Sequence, residues 1–162
     1  MNNKERMLSI EGMKLLKKLE GFKARPYKDS AGKLTVGYGH MVVPGDGVGP
    51  TVDVISEFAA TSLLHTDVGI AEKAVGDAVT SDITTNQFDA LVIFTYNVGA
   101  TPFRNSTLLK LINVGEMEGA SHEFLRWNKV HTAQGAFVEI AGLTTRRTAE
   151  RDLFITKEND NG

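Results

Sequence analysis

The chain has 162 residues, 41% of them hydrophobic, and a formal net charge of −2. This length allows one hydrophobic core, or two small lobes that share a helix. Because the chain has no cysteine, disulfides and thiol chemistry are excluded, and the slightly acidic balance without a recognised binding motif argues against nucleic acid as a partner.

The first predicted element is an amphipathic helix from Leu8 to Glu20. Its apolar residues recur at mostly helical spacing, Ser9 stands where an N-cap is needed, and Gly21 follows as the residue that ends the helix. The unpaired carbonyls of the last turn would face Glu20 and favour its uncharged form. We therefore expect a raised pKa for the Glu20 carboxyl group, which suits a general acid.

A β-hairpin is predicted next, from the extended runs 26–28 and 34–40 joined by the turn-forming residues 29–32. Strand alternation places Thr35 on one face with two glycines, Gly37 and Gly39. Glycines weaken a strand unless something approaches the backbone closely. We expect this bare face to be the floor of a ligand site, with Thr35 at its edge.

The remainder of the chain is predicted to be mainly helical. PGDGVGP at 44–50 has the composition of a loop, Thr84 with Gln87 is a candidate capping box, and Ser106 is a candidate N-cap. The apolar spacing predicts helices at about 54–79, 84–96, 106–115, 117–127 and 145–156, and a frayed tail at 157–162.

Glu20 and Asp29 are the candidate reactive groups. Hydrolysis of a glycosidic bond needs one carboxylic acid to protonate the leaving oxygen and one carboxylate to activate water or stabilise the developing cation. Zinc chemistry is improbable, because the four histidines, His40, His65, His122 and His131, form no H-E-x-x-H motif. We interpret His40 as a structural hydrogen-bonding residue, and Trp127 as a core residue.

The pattern E-x8-D-x5-T, followed by VGYGH, resembles the phage lysozymes, glycoside hydrolase family 24. The resemblance continues in order through QFDALVIFTYNVG at 87–99, FRNSTLLKLIN at 103–113, and Trp127 with GLTTRRTAERDLF at 142–154. It implies an α+β, lysozyme-like fold within one catalytic domain. A small lobe of helix and hairpin at about 1–53 would be joined by a long helix at about 54–79 to a helical lobe at about 80–162.

The resemblance also assigns roles to individual residues. Glu20 resembles the catalytic acid, Asp29 the second carboxylate, and Thr35 the residue that helps to place the attacking water in an inverting reaction. Arg146, or its neighbour Arg147, resembles the arginine that pairs with the catalytic glutamate, and such a pair would oppose the expected rise in pKa. The positions that resemble sugar contacts are Met41, Tyr96, Ser106 and Ser121.

The resemblance implies an endolysin that hydrolyses the β-1,4 bond between N-acetylmuramic acid and N-acetylglucosamine in peptidoglycan and so lyses the host. Glycan strands would be its partner, and no metal or cofactor is implied. The first ten residues lack an apolar run long enough for a signal peptide or membrane anchor. We therefore expect no membrane insertion, and a monomer that accumulates in the host cytoplasm until a separate membrane-permeabilising protein releases it.

Three alternatives stay open at this point. A lytic transglycosylase would cleave the same bond by using a glutamate and the muramic acid's own hydroxyl, although the intact Asp29 and Thr35 argue against it. A wall-binding module without turnover would keep its effect after the change Glu20→Gln. A structural component of a phage particle would also lack a signal peptide.

Overall fold

A computed structural model describes residues 2–48 and 53–158 and divides into two compact units. The hairpin unit is Met13–Gly69, and the helical unit consists of Met1–Gly12 with Ile70–Gly162. Across the described ranges, no helix is both long and apolar enough to cross a membrane.

The first helix, α1, spans Ile10–Glu20, close to the predicted bounds. The backbone N–H of Gly12 donates to the Ser9 hydroxyl at 3.0 Å, so Ser9 is the N-cap that the sequence indicated. At the other end, Gly21 has a φ of 71° and its N–H donates to the carbonyl of Lys17 at 2.9 Å. This left-handed glycine ends the helix directly after Glu20.

The hairpin unit contains a three-stranded antiparallel sheet in the order β1-β2-β3. Strand β1 is Lys23–Lys28, β2 is Leu34–Gly37 and β3 is His40–Met41. The register places Thr35 opposite Tyr27 on one side and opposite Met41 on the other. Thr35 therefore lies in the central strand, where it is 5% exposed.

The two glycines after Thr35 have a conformational role that was not expected. The predicted run 34–40 is broken, because Gly37 and Gly39 have φ values of 67° and 78° and turn the chain from β2 into β3. A Cβ atom at Gly37 would lie 2.9 Å from the Cβ of Ala60. Gly37 is thus required by the turn and by close packing against a helix, so the backbone there is covered by protein. A ligand floor formed by Thr35 and Gly39 stays a prediction.

The long helix α2 spans Glu57–Ala78, and begins about three residues later than predicted. Its buried positions follow one face, because they recur every three or four residues. The buried hydrophobic residues are Ala60, Leu64, Val68, Ala71, Ala74 and Val75. Of the loop predicted at 44–50, residues 44–48 are irregular as expected, and the last two lie outside the described residues.

Helix α3, Thr85–Val98, forms the centre of the helical unit, and every residue from Phe88 to Thr95 is buried. The Thr84 side chain accepts from the Gln87 backbone and the Gln87 side chain accepts from the Thr84 backbone, which confirms the predicted capping box. The helices that follow are α4 (Ala100–Arg104), α5 (Thr107–Asn113), α6 (Met117–Glu123), continued by a 3-10 turn at Phe124–Arg126, and α7 (Ala141–Ile155).

A second hairpin precedes α7 and was not predicted. Strand β4, Lys129–His131, pairs with β5, Phe137–Glu139, and Gly135 has a φ of 80° in the turn between them. The strands are only three residues long, which left little periodicity to detect. Helix α7 then begins about four residues earlier than the sequence indicated.

The amino terminus is grouped with the helical unit, whereas the sequence placed residues 1–53 together. The Asn3 side chain donates to the carbonyls of Val79 and Ser81, at 3.2 and 3.0 Å. The N–H of Ser9 donates to the buried carboxylate of Asp89 at 3.0 Å. These hydrogen bonds span more than seventy residues of sequence, so no local pattern indicates them.

Candidate active site

The Asp29 carboxylate is held by the turn in which it lies. Its Oδ1 accepts hydrogen bonds from the N–H groups of Ala31 and Lys33, both at 2.9 Å. The turn is closed by two backbone bonds, from Asp29 to the Lys33 carbonyl and from Gly32 to the Asp29 carbonyl. Oδ2 accepts no hydrogen bond from any residue within the described ranges, so one carboxylate oxygen is fixed while the other remains available to a ligand.

The hydroxyl group of Thr35 donates its proton to a hydrogen bond within the protein. Its Oγ1 donates to the backbone carbonyl of Lys33 at 3.1 Å. Lys33 also donates its own N–H to Asp29, so one residue connects both side chains. Because the hydroxyl donates within the protein, its lone pairs are the part that can meet a ligand, and Thr35 can accept a hydrogen bond there.

Glu20 lies at the last position of α1, half-buried, in the same unit as Asp29 and Thr35. The charges of Glu20 and Asp29 both act on the hydroxyl group of Tyr27. Burial raises the pKa of the Tyr27 phenol, and the negative charges of Glu20 and then Asp29 raise it further. Both carboxylates therefore act on the same hydroxyl group from within one unit.

His40 is buried and bound on both ring nitrogens, as expected for a structural residue. Nδ1 lies 2.7 Å from an Asp67 carboxylate oxygen, and Nε2 lies 2.8 Å from one of Asp46. Burial lowers the pKa of His40, but the hydrogen bonds and charges of the two aspartates outweigh this and raise it above 6.5. The N–H of Val43, then the His40 ring, lower the pKa of Asp46 to about 2.

The four predicted sugar contacts lie in different surroundings. Met41 is exposed in β3, and Tyr96 is half-buried on α3. Ser106 is buried, donates to the Phe103 carbonyl at 2.7 Å and accepts from the Leu109 N–H at 3.0 Å, so the helix-capping role considered for it is confirmed. Ser121 is also buried. Contact of these four residues with sugar stays a prediction.

Arg146 and Arg147 meet a buried carboxylate, Glu150, inside the helical unit. Arg146 Nε lies 3.1 Å from one oxygen of Glu150, and Arg147 Nη1 lies 2.7 Å from the other. Arg147 also donates to the Asn97 side chain, and Arg146 donates to the carbonyl of Ile93 at 3.2 Å. Glu150 is 0% exposed, so these ion pairs lie in the interior of the helical unit and not on its surface. Pairing of Arg146, or of Arg147, with Glu20 stays a prediction.

The Glu150 carboxyl group has a strongly shifted pKa. Burial raises it to about 7, against the opposing effect of the two guanidinium groups, Arg147 more than Arg146. A buried ion pair is costly to break, because the remaining charge would then have no counter-charge. Glu150 therefore has a clear structural role in the helical unit.

Trp127 packs edge-on against Phe94, with 5.5 Å between ring centroids, although its side chain is only partly buried. Phe94 also contacts Phe124, which in turn contacts Phe154. The interpretation of Trp127 as part of the aromatic core is consistent with these contacts.

Sequence reasoning missed three groups near these sites: Tyr27, Asp46 and Glu150. Tyr27 and Asp46 lie within the motif region, but no rule relates a strand tyrosine or a loop aspartate to a particular partner. Glu150 stands three and four residues after the arginines, a spacing that places such residues on one helix face. Among the described residues, no group of three or more His, Cys, Asp or Glu side chains is arranged to hold a metal ion.

Comparison with known proteins shows one consistent set of relatives. The family model for phage lysozymes matches residues 17–150. The endolysin of Acyrthosiphon pisum secondary endosymbiont phage 1 is 37% identical, over 91% of this chain and 97% of its own. The endolysin of Bacillus phage B103 is 42% identical over 95% of this chain, which spans only 56% of that longer relative.

Among the solved structures similar to this chain, two cover more than nine tenths of its length. An endolysin from Escherichia coli O157:H7 phage FAHEc1 is 37% identical, covers 93% of this chain and 94% of its own, and superposes with a TM-score of 0.86. The muramidase domain of SpmX from Asticaccaulis excentricus is 30% identical, covers 94% and 100%, and has a TM-score of 0.84. The α+β, lysozyme-like fold is thereby confirmed.

Proposed function

Because the chain belongs to the phage lysozyme family, we propose that it cleaves the β-1,4 bond between N-acetylmuramic acid and N-acetylglucosamine. The chain is an endolysin that hydrolyses bacterial peptidoglycan, as its endolysin relatives and the matching family indicate. The name muramidase, given to one similar solved domain, supports the choice of bond.

The observation that supports catalysis by this site is that the two carboxylate oxygens of Asp29 have different surroundings. Two backbone N–H groups hold Oδ1, while Oδ2 is open to a ligand. A water molecule has two protons, so it can donate one to Oδ2 and the other to the lone pairs of Thr35. Its own lone pair is then directed away from both side chains, towards the anomeric carbon of a bound sugar.

Glu20 supplies the second half of the reaction. In the proposed step, its carboxyl group protonates the glycosidic oxygen as the C–O bond breaks, and water attacks the opposite face of the sugar. Asp29 accepts the proton that the water loses. The water oxygen ends as the new anomeric hydroxyl, and the configuration at the anomeric carbon is inverted.

Mass spectrometry of the fragments released from purified peptidoglycan tests the bond and the acid together. We expect wild type to release fragments with free reducing muramic acid, and Glu20→Gln to lose this activity by orders of magnitude while remaining folded. Fragments with 1,6-anhydro ends would instead establish a transglycosylase. Equal release by Glu20→Gln and wild type would show that Glu20 is not the acid.

The stereochemistry needs a separate measurement. Proton NMR of a digest at early times should show the α anomer of the new reducing sugar first, because water attacks the face opposite the β linkage. Initial appearance of the β anomer would contradict the direct attack by water proposed for Asp29 and Thr35.

Storage of the enzyme before lysis is part of the same proposal. We infer that it acts as a monomer and accumulates in the host cytoplasm, and that a separate membrane-permeabilising protein releases it to the cell wall. The support is its likeness to phage endolysins. Fractionation of expressing cells, with and without such a protein, tests this, and lysis without it would contradict the inference.

A further inference from the structure

The Tyr27 hydroxyl lies close to the predicted acid and to the predicted water-holding carboxylate. Burial and the charges of Glu20 and Asp29 raise the pKa of this phenol above its usual value of 10.0. At neutral pH the group is therefore uncharged and keeps its proton. Tyr27 is a hydrogen-bond donor on which the charges of two carboxyl groups act.

The backbone places Tyr27 on the same side of the hairpin as Thr35. Tyr27 in β1 is the direct cross-strand partner of Thr35 in β2. Side chains of directly opposed residues lie on one face, with Cβ atoms about 4.5 to 5.5 Å apart. Asp29 comes directly after the last residue of β1, in the turn that joins β1 to β2.

The hydroxyl of Tyr27 is not used within the protein. Over the described ranges, no residue forms a hydrogen bond with it, and the ring has Lys23 Nζ 5.3 Å from its centroid. Tyr38, in the same unit, differs, because its hydroxyl donates to a Glu57 oxygen at 2.8 Å. A half-buried donor without a protein partner is available to a bound ligand.

We propose that Tyr27 is a substrate-binding residue whose hydroxyl donates a hydrogen bond to an oxygen of the sugar at the cleaved bond. In an inverting hydrolysis that sugar lies between the acid and the carboxylate that activates water. Tyr27 is the hydroxyl that the charges of both groups reach. This inference rests on the proposed hydrolysis.

The change Tyr27→Phe removes the hydroxyl and keeps the ring, so it tests the donor directly. With soluble, uncross-linked glycan strands as substrate, we expect kcat/KM to fall about tenfold, as for the loss of one hydrogen bond. The melting temperature should not change, because the hydroxyl has no protein partner. In the inactive Glu20→Gln background, calorimetry should show weaker binding of the same strands once Tyr27→Phe is added.

Tyr38→Phe is the matched control, since it removes a hydroxyl that does bond to the protein. It should lower the melting temperature and leave kcat/KM unchanged. If Tyr27→Phe instead behaves like Tyr38→Phe, or like wild type, the inference is wrong. In either case hydrolysis by wild type, abolished by Glu20→Gln, would leave the proposed function standing, whereas no hydrolysis by wild type would overturn both.

Discussion

The turn around Asp29 and the segment of α7 around Glu150 each immobilise a carboxylate, but with different donors. Asp29 is held by backbone N–H groups two and four residues away, and one oxygen stays open. Glu150 is fully buried, and both of its oxygens are bound by arginine side chains. A carboxylate held by its own turn keeps one oxygen for chemistry, whereas a carboxylate that pairs with buried guanidinium groups has both oxygens bound and stabilises the fold.

The largest effect that separates the two sites is expected from Asp29→Asn. Asparagine keeps a side-chain oxygen that can accept from the same two N–H groups, but it cannot take a proton from water. Loss of the general base should lower kcat by about 10²- to 10⁴-fold, with little change in the melting temperature. Reducing-end release and thermal unfolding of the same samples measure both. Activity near that of wild type would remove Asp29 from the mechanism.

In contrast to Asp29→Asn, Glu150→Ala should lower stability strongly and activity only slightly. Above the raised pKa of Glu150, at about pH 8.5, its removal would leave two buried guanidinium groups without their counter-charge, so we expect the free energy of unfolding to fall by about 3 to 5 kcal/mol. Activity per folded molecule at low temperature should change far less than in Asp29→Asn. Urea unfolding measures the loss, and Glu139→Ala, which removes an exposed glutamate, is the control. Similar stability of the two variants would contradict the role assigned to Glu150.

Gly32 and Gly37, both in the hairpin unit, need glycine for different reasons: Gly32 for its backbone conformation alone, and Gly37 also for a close tertiary contact. Gly32 and Gly37 both have positive φ, of 78° and 67°. A Cβ at Gly32 would meet nothing within 4 Å, whereas at Gly37 it would lie 2.9 Å from Ala60. Gly32→Ala should cost about 1 to 2 kcal/mol for the backbone alone, and Gly37→Ala should cost more. Chemical denaturation measures both, and equal costs would show that Ala60 moves aside freely.

The smallest effect is a pH dependence that originates at His40. Its pKa is raised in the folded state, so its contribution to stability is fully present below about pH 6.5 and is lost as pH rises through the higher folded value. Asp46, whose pKa is lowered from 3.8 to about 2, loses its contribution as pH falls through that range.

Thermal unfolding of wild type and Asp46→Asn across this range measures the dependence. The stability advantage of wild type should be greatest between about pH 4 and 6.5 and should shrink on the alkaline side. A constant difference between the two proteins at all pH values would show that the His40 to Asp46 pair does not stabilise the fold through its charge.

Much of the proposed catalytic site was predictable because its determinants are local. The Ser9 cap and Gly21 define α1 and so the position of Glu20, and the turn residues around Asp29 hold its side chain. Thr35 follows from the pairing of adjacent strands. The roles of these residues came from family resemblance, since local patterns indicate where a side chain lies and not which reaction it takes part in.

What the sequence determined by itself is therefore the set of local elements: the cap of α1, the Asp29 turn, the capping box of α3 and the Ser106 cap. Each depends on hydrogen bonds between residues at most four apart. Only the tertiary structure decided that Glu150 is buried beside two arginines, and that Ala60 packs so close to residue 37 that only glycine fits there. Burial and close approach depend on which distant segments fill the surrounding space, and that information is not contained in any short stretch of the chain.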